Sequence, residues 1–155
     1  MQESNFISFN PQKGFNVASM FLRHDVSGTE SVESLGDLVA QQTTLMTAEM
    51  TDFCAGRRLT LAPFLGPLTA TAASVTYATS GTRAVDWQDT TCGGATLSNA
   101  LALGAAYAPN LGDSVIVVQA TYVYKFPPSY TLPSSYTLTR TTYSRPRAGT
   151  TVAHS

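Results

Sequence analysis

Residues 111–147, LGDSVIVVQATYVYKFPPSYTLPSSYTLTRTTYSRPR, read as two long strands joined by a proline-rich connection. The first predicted strand, Val115 to Tyr124, is rich in β-branched and aromatic residues and has apolar side chains on both faces. This pattern indicates a strand that is covered on both faces or central in its sheet. The second predicted strand, Tyr136 to Tyr143, has threonines on one face, which is typical of a half-exposed strand. Prolines cannot donate to a ladder, so those between the two strands mark the connection.

Upstream of these strands, the pattern predicts two helices and a hairpin. Apolar residues at helical spacing predict a helix from about Glu30 to Gln42. Thr47 is a suitable N-cap for a second helix, which should end before Pro63. Leu68 to Tyr77 and Arg83 to Gln88 read as two strands around a turn that contains glycine.

In the second strand of that predicted hairpin, successive side chains lie on opposite faces. Its alternation places Val85 and Trp87 on one face, which we expect to be core, and Ala84 and Asp86 on the other. After it, apolar residues around Leu97 to Leu101 indicate one or two helical turns.

The order helix, helix, hairpin, short helix, hairpin predicts an α+β domain. We expect a four-stranded antiparallel sheet made of two hairpins, with the N-terminal helices packed on it and all the helices on one face. Residues 1–28 are predicted to be an irregular N-terminal segment, residues 29–147 a single domain, and residues 148–155 a flexible tail.

The composition limits the possible partners. The chain has 155 residues, a formal net charge of −1 and only 12 % charged residues, against roughly 25 % in an ordinary soluble protein. With no basic stripe to hold phosphates, the sequence predicts no nucleic-acid partner. We also expect no membrane span and no signal peptide within this chain, because its apolar runs are short and its N-terminus is not basic.

The sequence predicts no enzyme. Its two histidines, His24 and His154, lie in segments that read as irregular and are interpreted as solvated, so no catalytic base is evident. Asp86 and Asp89 flank Trp87, which could stack on a sugar, but a hairpin with one core face is the favoured interpretation. No cysteine and histidine spacing suggests zinc, and no glycine-rich loop is followed by a lysine. We therefore predict no catalytic residue, no cofactor and no metal.

The two cysteines, Cys54 and Cys92, leave two interpretations open. In an exported protein they could form one disulfide that closes a long loop, contributing on the order of 3–4 kcal/mol. In a cytosolic protein they could be two buried small hydrophobic residues.

An ordered set of segments extends from about Leu35 to Arg147. They are Leu35-Gly36-Asp37-Leu38-Val39-Ala40-Gln41, Met46 to Asp52, Leu61-Ala62-Pro63-Phe64, Val85-Asp86-Trp87-Gln88-Asp89, Tyr122-x-Tyr124-Lys125 and Tyr143-Ser144-Arg145-Pro146-Arg147. In this order they resemble the TadE/TadG-like proteins of bacterial tight-adherence (Tad) pilus systems. The chain departs from that family in two places. Met1 to Gly28 stands where family members have a pilin-like hydrophobic helix, and Phe126 stands where proline is expected.

The resemblance implies a non-enzymatic minor pilin or pseudopilin with a pilin-like fold, which acts in pilus assembly and surface adherence. It implies a location in the periplasm or at the cell surface, with an inner-membrane anchor, supplied in the full-length form by a helix that this chain lacks. The implied partners are other pilus or pseudopilin subunits and the inner-membrane assembly machinery. It also favours a disulfide between Cys54 and Cys92.

The alternative is a secreted or cell-surface binding module that recognises glycan or protein. Tyrosine and tryptophan are frequent contact residues at interfaces. The candidates for a partner surface are Trp87, Tyr130 and Tyr136.

Overall fold

The structure, a computed structural model, describes residues 33–60, 68–125, 135–147 and 149–155. In chain order its elements are α1 (residues 33–41), β1 (Thr44–Leu45), α2 (Thr47–Thr60), β2 (Leu68–Tyr77), β3 (Arg83–Asp89), α3 (Ala100–Ala105), β4 (Ser114–Lys125), β5 (Ser135–Ser144) and β6 (Ala153–His154). The predicted N-terminal segment and the predicted start of the first helix lie outside the described residues.

The four long strands form one antiparallel sheet in the order β3-β2-β4-β5. This confirms the predicted α+β class with a four-stranded antiparallel sheet. β4 is central, as its two apolar faces predict. It pairs with β2 from Ser114 to Tyr122 and with β5 from Ile116 to Lys125.

Buried apolar residues form two clusters, one on each face of the sheet. The first cluster joins alternate residues of β2 and β4 to α1, β1, α2 and the C-terminal segment: Ala70, Ala72, Ile116, Val118, Ala120, Leu35, Val39, Ala40, Leu45, Met50, Cys92 and Val152. The second cluster lies on the opposite face. It joins the remaining alternate residues of β2 and β4 to α3 and its flanking loops: Ala73, Val75, Val115, Val117, Leu97, Ala100 and Ala108. The sheet therefore has helices on both faces.

The prediction that the helices cover only one face is wrong for α3. This short helix lies close against β2 because Gly104 has no side chain. A Cβ at Gly104 would lie 2.7 Å from the Cβ of Val75, a separation that packed atoms do not tolerate.

The prediction that Val85 and Trp87 share a face is also wrong. Val85 pairs with Val75 and packs against the second cluster, whereas Trp87 pairs with Ser74 and packs against the first. The register shifts at this point because Asp86 is an extra residue, a β-bulge that reverses the alternation beyond it.

Residues 152–155 are packed against the domain, which differs from the flexible tail that the sequence predicts. β6 pairs in parallel with β1, with Thr44 opposite Ala153 and Leu45 opposite His154. Val152 is only 2 % exposed and belongs to the first cluster. Backbone pairing and burial of one valine thus hold a segment whose composition is otherwise polar.

Candidate functional site

A disulfide between Cys54 and Cys92 confirms the pairing that the resemblance favours. It joins α2 to the loop after β3, with the two Cα atoms 5.5 Å apart and 38 residues apart in sequence. Cys92 is buried in the first cluster and Cys54 packs against it. Both sulfur atoms are in the bridge, so neither is available as a thiol nucleophile.

Next to Cys92, side chains of β3 hold the end of the chain. We call Trp87, Asp89, Val152 and His154 the C-terminal latch. The Nε1 of Trp87 donates to the carbonyl oxygen of Val152 at 2.7 Å. The Nε2 of His154 lies 2.7 Å from the Oδ2 of Asp89, and the rings of Trp87 and His154 lie 5.1 Å apart between centroids.

The contact between Asp89 and His154 is electrostatic, and the carboxylate of Asp89 has little access to water. Asp89 is only 4 % exposed. Burial by itself raises the pKa of this carboxyl, but hydrogen bonds from the side chain of His154 and the backbone N–H of Thr91 outweigh burial, and the pKa lies below its ordinary value. Both carboxylate oxygens are therefore engaged, Oδ1 by Thr91 and Oδ2 by His154.

Sequence reasoning missed the role of His154, which it interpreted as solvated. The contact with Asp89 spans 65 residues, so no local pattern encodes it. The only local signal is the alternation of Val152 and His154 near the end of a polar segment.

The latch predicts a specific pH dependence of stability. Because the folded state lowers the pKa of Asp89, its contribution is present above the pKa of the unfolded chain, about 3.9, and is lost as the pH falls through the lower folded value. Asp89→Asn should therefore reduce the loss of unfolding free energy between about pH 5 and pH 2. Urea unfolding across that range measures it. Asp37→Asn is the control, because Asp37 is half-exposed and contacts Arg147 and the hydroxyl of Ser144 near the surface. An Asp89→Asn profile parallel to the wild type would contradict the prediction.

The carboxylates on either side of Trp87 do not act as a pair. Asp86 accepts hydrogen bonds from the hydroxyls of Ser74 at 2.9 Å and Thr76 at 2.5 Å, whereas Asp89 is held by the latch. Each carboxylate thus stabilises the local backbone, one at the bulge and the other at the C-terminus.

A polar groove of about 180 Å³ lies between the sheet and the loop before α3. The loop is held in place because the side-chain amide of Gln88 accepts from the N–H of Leu97 at 2.8 Å and donates to its carbonyl at 3.2 Å. The hydroxyl of Thr71 donates to the carbonyl of Ala95 at 2.7 Å. The groove presents neutral hydroxyl and amide side chains: Thr69, Thr96, Ser98, Asn99, Gln119 and Thr121.

Of the residues predicted as a partner surface, Trp87 and Tyr136 lie far apart on the sheet. Tyr130 lies outside the described residues. Trp87 lies in a cross-strand row with Ser144, at the opposite end of β5 from Tyr136. The eight-residue separation between Tyr136 and Ser144 corresponds to about 27 Å along the strand. Tyr136 is 50 % exposed, while Trp87 is part of the latch.

Tyr136 lies instead on an edge of the sheet. β5 is the outermost strand, and its pairing with β4 is unbroken from Ser135 to Ser144. The other edge strand, β3, carries the bulge at Asp86. Bulges protect edges from further pairing, so the two edges of this sheet differ in their capacity to accept a partner strand.

Among the described residues, no group of three or more histidine, cysteine, aspartate and glutamate side chains is placed to hold a metal ion. Within the same ranges, every helix is too short or too polar to cross a bilayer. In comparisons with protein-family models, curated proteins and solved structures, no match to this chain was found.

Proposed function

We propose that this protein is a non-enzymatic assembly subunit of a bacterial Tad-type pilus, the soluble domain of a TadE/TadG-like minor pilin. The proposal is carried by the ordered resemblance from Leu35 to Arg147. The elements from α1 to β5, which include the whole four-stranded sheet, lie in about the same part of the sequence. We interpret the β2–β3 and β4–β5 pairs as two hairpins of a pilin-like domain.

The disulfide supports a place outside the cytoplasm. Disulfides persist in the periplasm and at cell surfaces and are rare in the reducing cytosol. The bridge joins Cys54 and Cys92, which are 38 residues apart in sequence. It therefore suits a domain exported to the periplasm or cell surface. In this proposal the full-length form is anchored in the inner membrane by a helix outside this chain. Its partners are other pilus or pseudopilin subunits and the inner-membrane assembly machinery.

The side-chain chemistry supports a structural role. The residues that most resemble catalytic groups are engaged in holding the fold: both cysteines in the bridge, and Asp86, Asp89 and His154 in hydrogen bonds to neighbouring elements. Such engagement stabilises a domain that works through its surface.

Deletion of the gene in the native host tests the proposal. We expect the deletion strain to lose surface pili, counted by electron microscopy, and to lose adherence. An intact copy supplied from a plasmid should restore both. A deletion strain with normal pilus numbers and adherence would overturn the proposed function.

The polar groove favours one alternative, a secreted or cell-surface module that binds a neutral glycan. Hydroxyl and amide groups are the donors and acceptors that a sugar requires, and the held loop makes the groove preformed. Trp87 is a poor probe of this alternative, because its replacement would also release the latch. NMR titration with neutral saccharides would support the alternative if shifts centred on the groove and Gln119→Ala, but not Gln41→Ala, removed them.

A further inference from the structure

The outer edge of β5 has few of the features that normally protect a sheet edge. The strand SYTLTRTTYS is ten residues long and carries one charged residue, Arg140, with no proline or glycine. By comparison, β3 is seven residues long, carries three charged residues and is interrupted by the bulge. A long, regular and nearly uncharged edge is a template for another strand.

Helix α1 covers one face of the sheet at the end of β5. A Cβ built at Gly36 would lie 3.0 Å from the Cγ2 of Thr142 and 3.1 Å from the Oγ of Ser144. Further on, the N–H of Arg147 donates to the carbonyl of Ala40 at 2.7 Å. Helix α1 thus lies beside the last residues of β5. In the part of the chain that the structure describes, no strand pairs with the outer edge of Ser135–Thr141.

The exposed part of β5 is complementary to a second copy of itself. In a two-fold antiparallel pair, residues opposite each other must share a face, so the centre lies on a residue. A centre on Leu138 places Tyr136 of one copy opposite Arg140 of the other. It also places Thr137 opposite Thr139.

These cross-strand pairs favour that register over the one centred on Arg140. An arginine beside a tyrosine ring gains a cation–π contact, and opposed threonines are a favourable pair. A centre on Arg140 would instead place like charges opposite each other. The register centred on Leu138 also covers Tyr136, the half-exposed aromatic residue of the strand.

We propose that two copies of this protein associate through Ser135–Thr141 of β5, antiparallel and centred on Leu138, to form one continuous eight-stranded sheet. The backbone N–H and C=O groups of the two edges then pair with each other, as in strand addition. This proposal rests on the edge itself and stands independently of the pilus proposal.

Sedimentation of the full 155-residue chain is the first test. We expect a species of twice 16.5 kDa at concentrations up to about 100 µM. Thr139 is exposed, so Thr139→Lys should leave the monomer folded but raise the dimer dissociation constant about tenfold or more. Thr139→Ser is the matched control and should behave as the wild type. A monomer throughout this range, or a dimer that Thr139→Lys does not weaken, would overturn the proposal.

Cross-linking tests the register. Residue 138 of the two copies would be directly opposed, with Cα atoms about 4.5–5.5 Å apart, within disulfide reach. Oxidised Leu138→Cys protein should therefore run as a covalent dimer on a non-reducing gel. In the control Ser135→Cys, the two thiols would lie about 20 Å apart and should not link. Equal linking by both variants, or linking by Ser135→Cys alone, would contradict this register.

Discussion

Replacing both cysteines, Cys54→Ala with Cys92→Ala, should lower the unfolding free energy by about 4 kcal/mol. The bridge joins residues 38 apart in sequence, and its removal restores the chain entropy of that loop to the unfolded state. Alanine is chosen because Cys92 is 3 % exposed, where the hydroxyl of serine would be buried. Urea unfolding of the wild type and the double variant, followed by circular dichroism, measures the difference.

Reduction of the wild-type bridge is the control for this result. If the bridge acts through loop closure, reduced wild-type protein should lose nearly as much stability as the double variant. Treatment of the double variant with the same reductant should change nothing. A double variant as stable as the oxidised wild type would contradict the role assigned to the bridge.

Ile116→Ala should lower the unfolding free energy by about 2–5 kcal/mol. Ile116 is fully buried at the central strand β4 and belongs to the cluster that joins the sheet to α1, α2 and the C-terminal segment. Truncation removes apolar contacts and leaves a cavity. The surrounding residues belong to several elements, so they cannot all move to fill it.

Ile116→Val is the matched variant, because it removes one methylene and keeps the β-branch. It should cost about 0.5–1.5 kcal/mol in the same urea experiment. A loss below about 1 kcal/mol for Ile116→Ala would mean that the first cluster is not the main core of the domain.

The four strands of the sheet could be predicted because the residue pattern of each strand depends only on neighbouring positions in the sequence. Alternation along β4 places apolar side chains on both faces, and this alone indicates a covered central strand. The turn around Gly81, which has a φ of +87°, similarly separates β2 from β3. Such signals need only neighbouring residues, so they are present in the sequence itself.

The bulge was not predictable, because it depends on partners across the sheet. Asp86 is stabilised by hydroxyls of Ser74 and Thr76 on the next strand. The extra residue then moves Trp87 to the opposite face from Val85. A one-residue shift reverses every later side chain, so the sequence pattern led to the wrong face.

The latch was missed for a related reason. Its contacts join β3 to residues 65 positions later, and the terminal segment has one buried apolar residue, Val152. The disulfide was different, because the two cysteines left a bridge and two buried thiols open, and the family resemblance favoured the bridge. The pairing was thus an expectation from the resemblance, whereas the place of Tyr136 relative to Trp87 required the register of four strands.

A count of free thiols in protein purified from its native host, trapped with alkylating reagent before lysis, tests the central claim most directly. The proposed subunit acts outside the reducing cytoplasm with Cys54 and Cys92 bridged. The count should therefore be zero without reductant and two per chain after reduction. Two free thiols without reductant would place the protein in a reducing compartment and contradict its assignment as an exported pilus-assembly subunit.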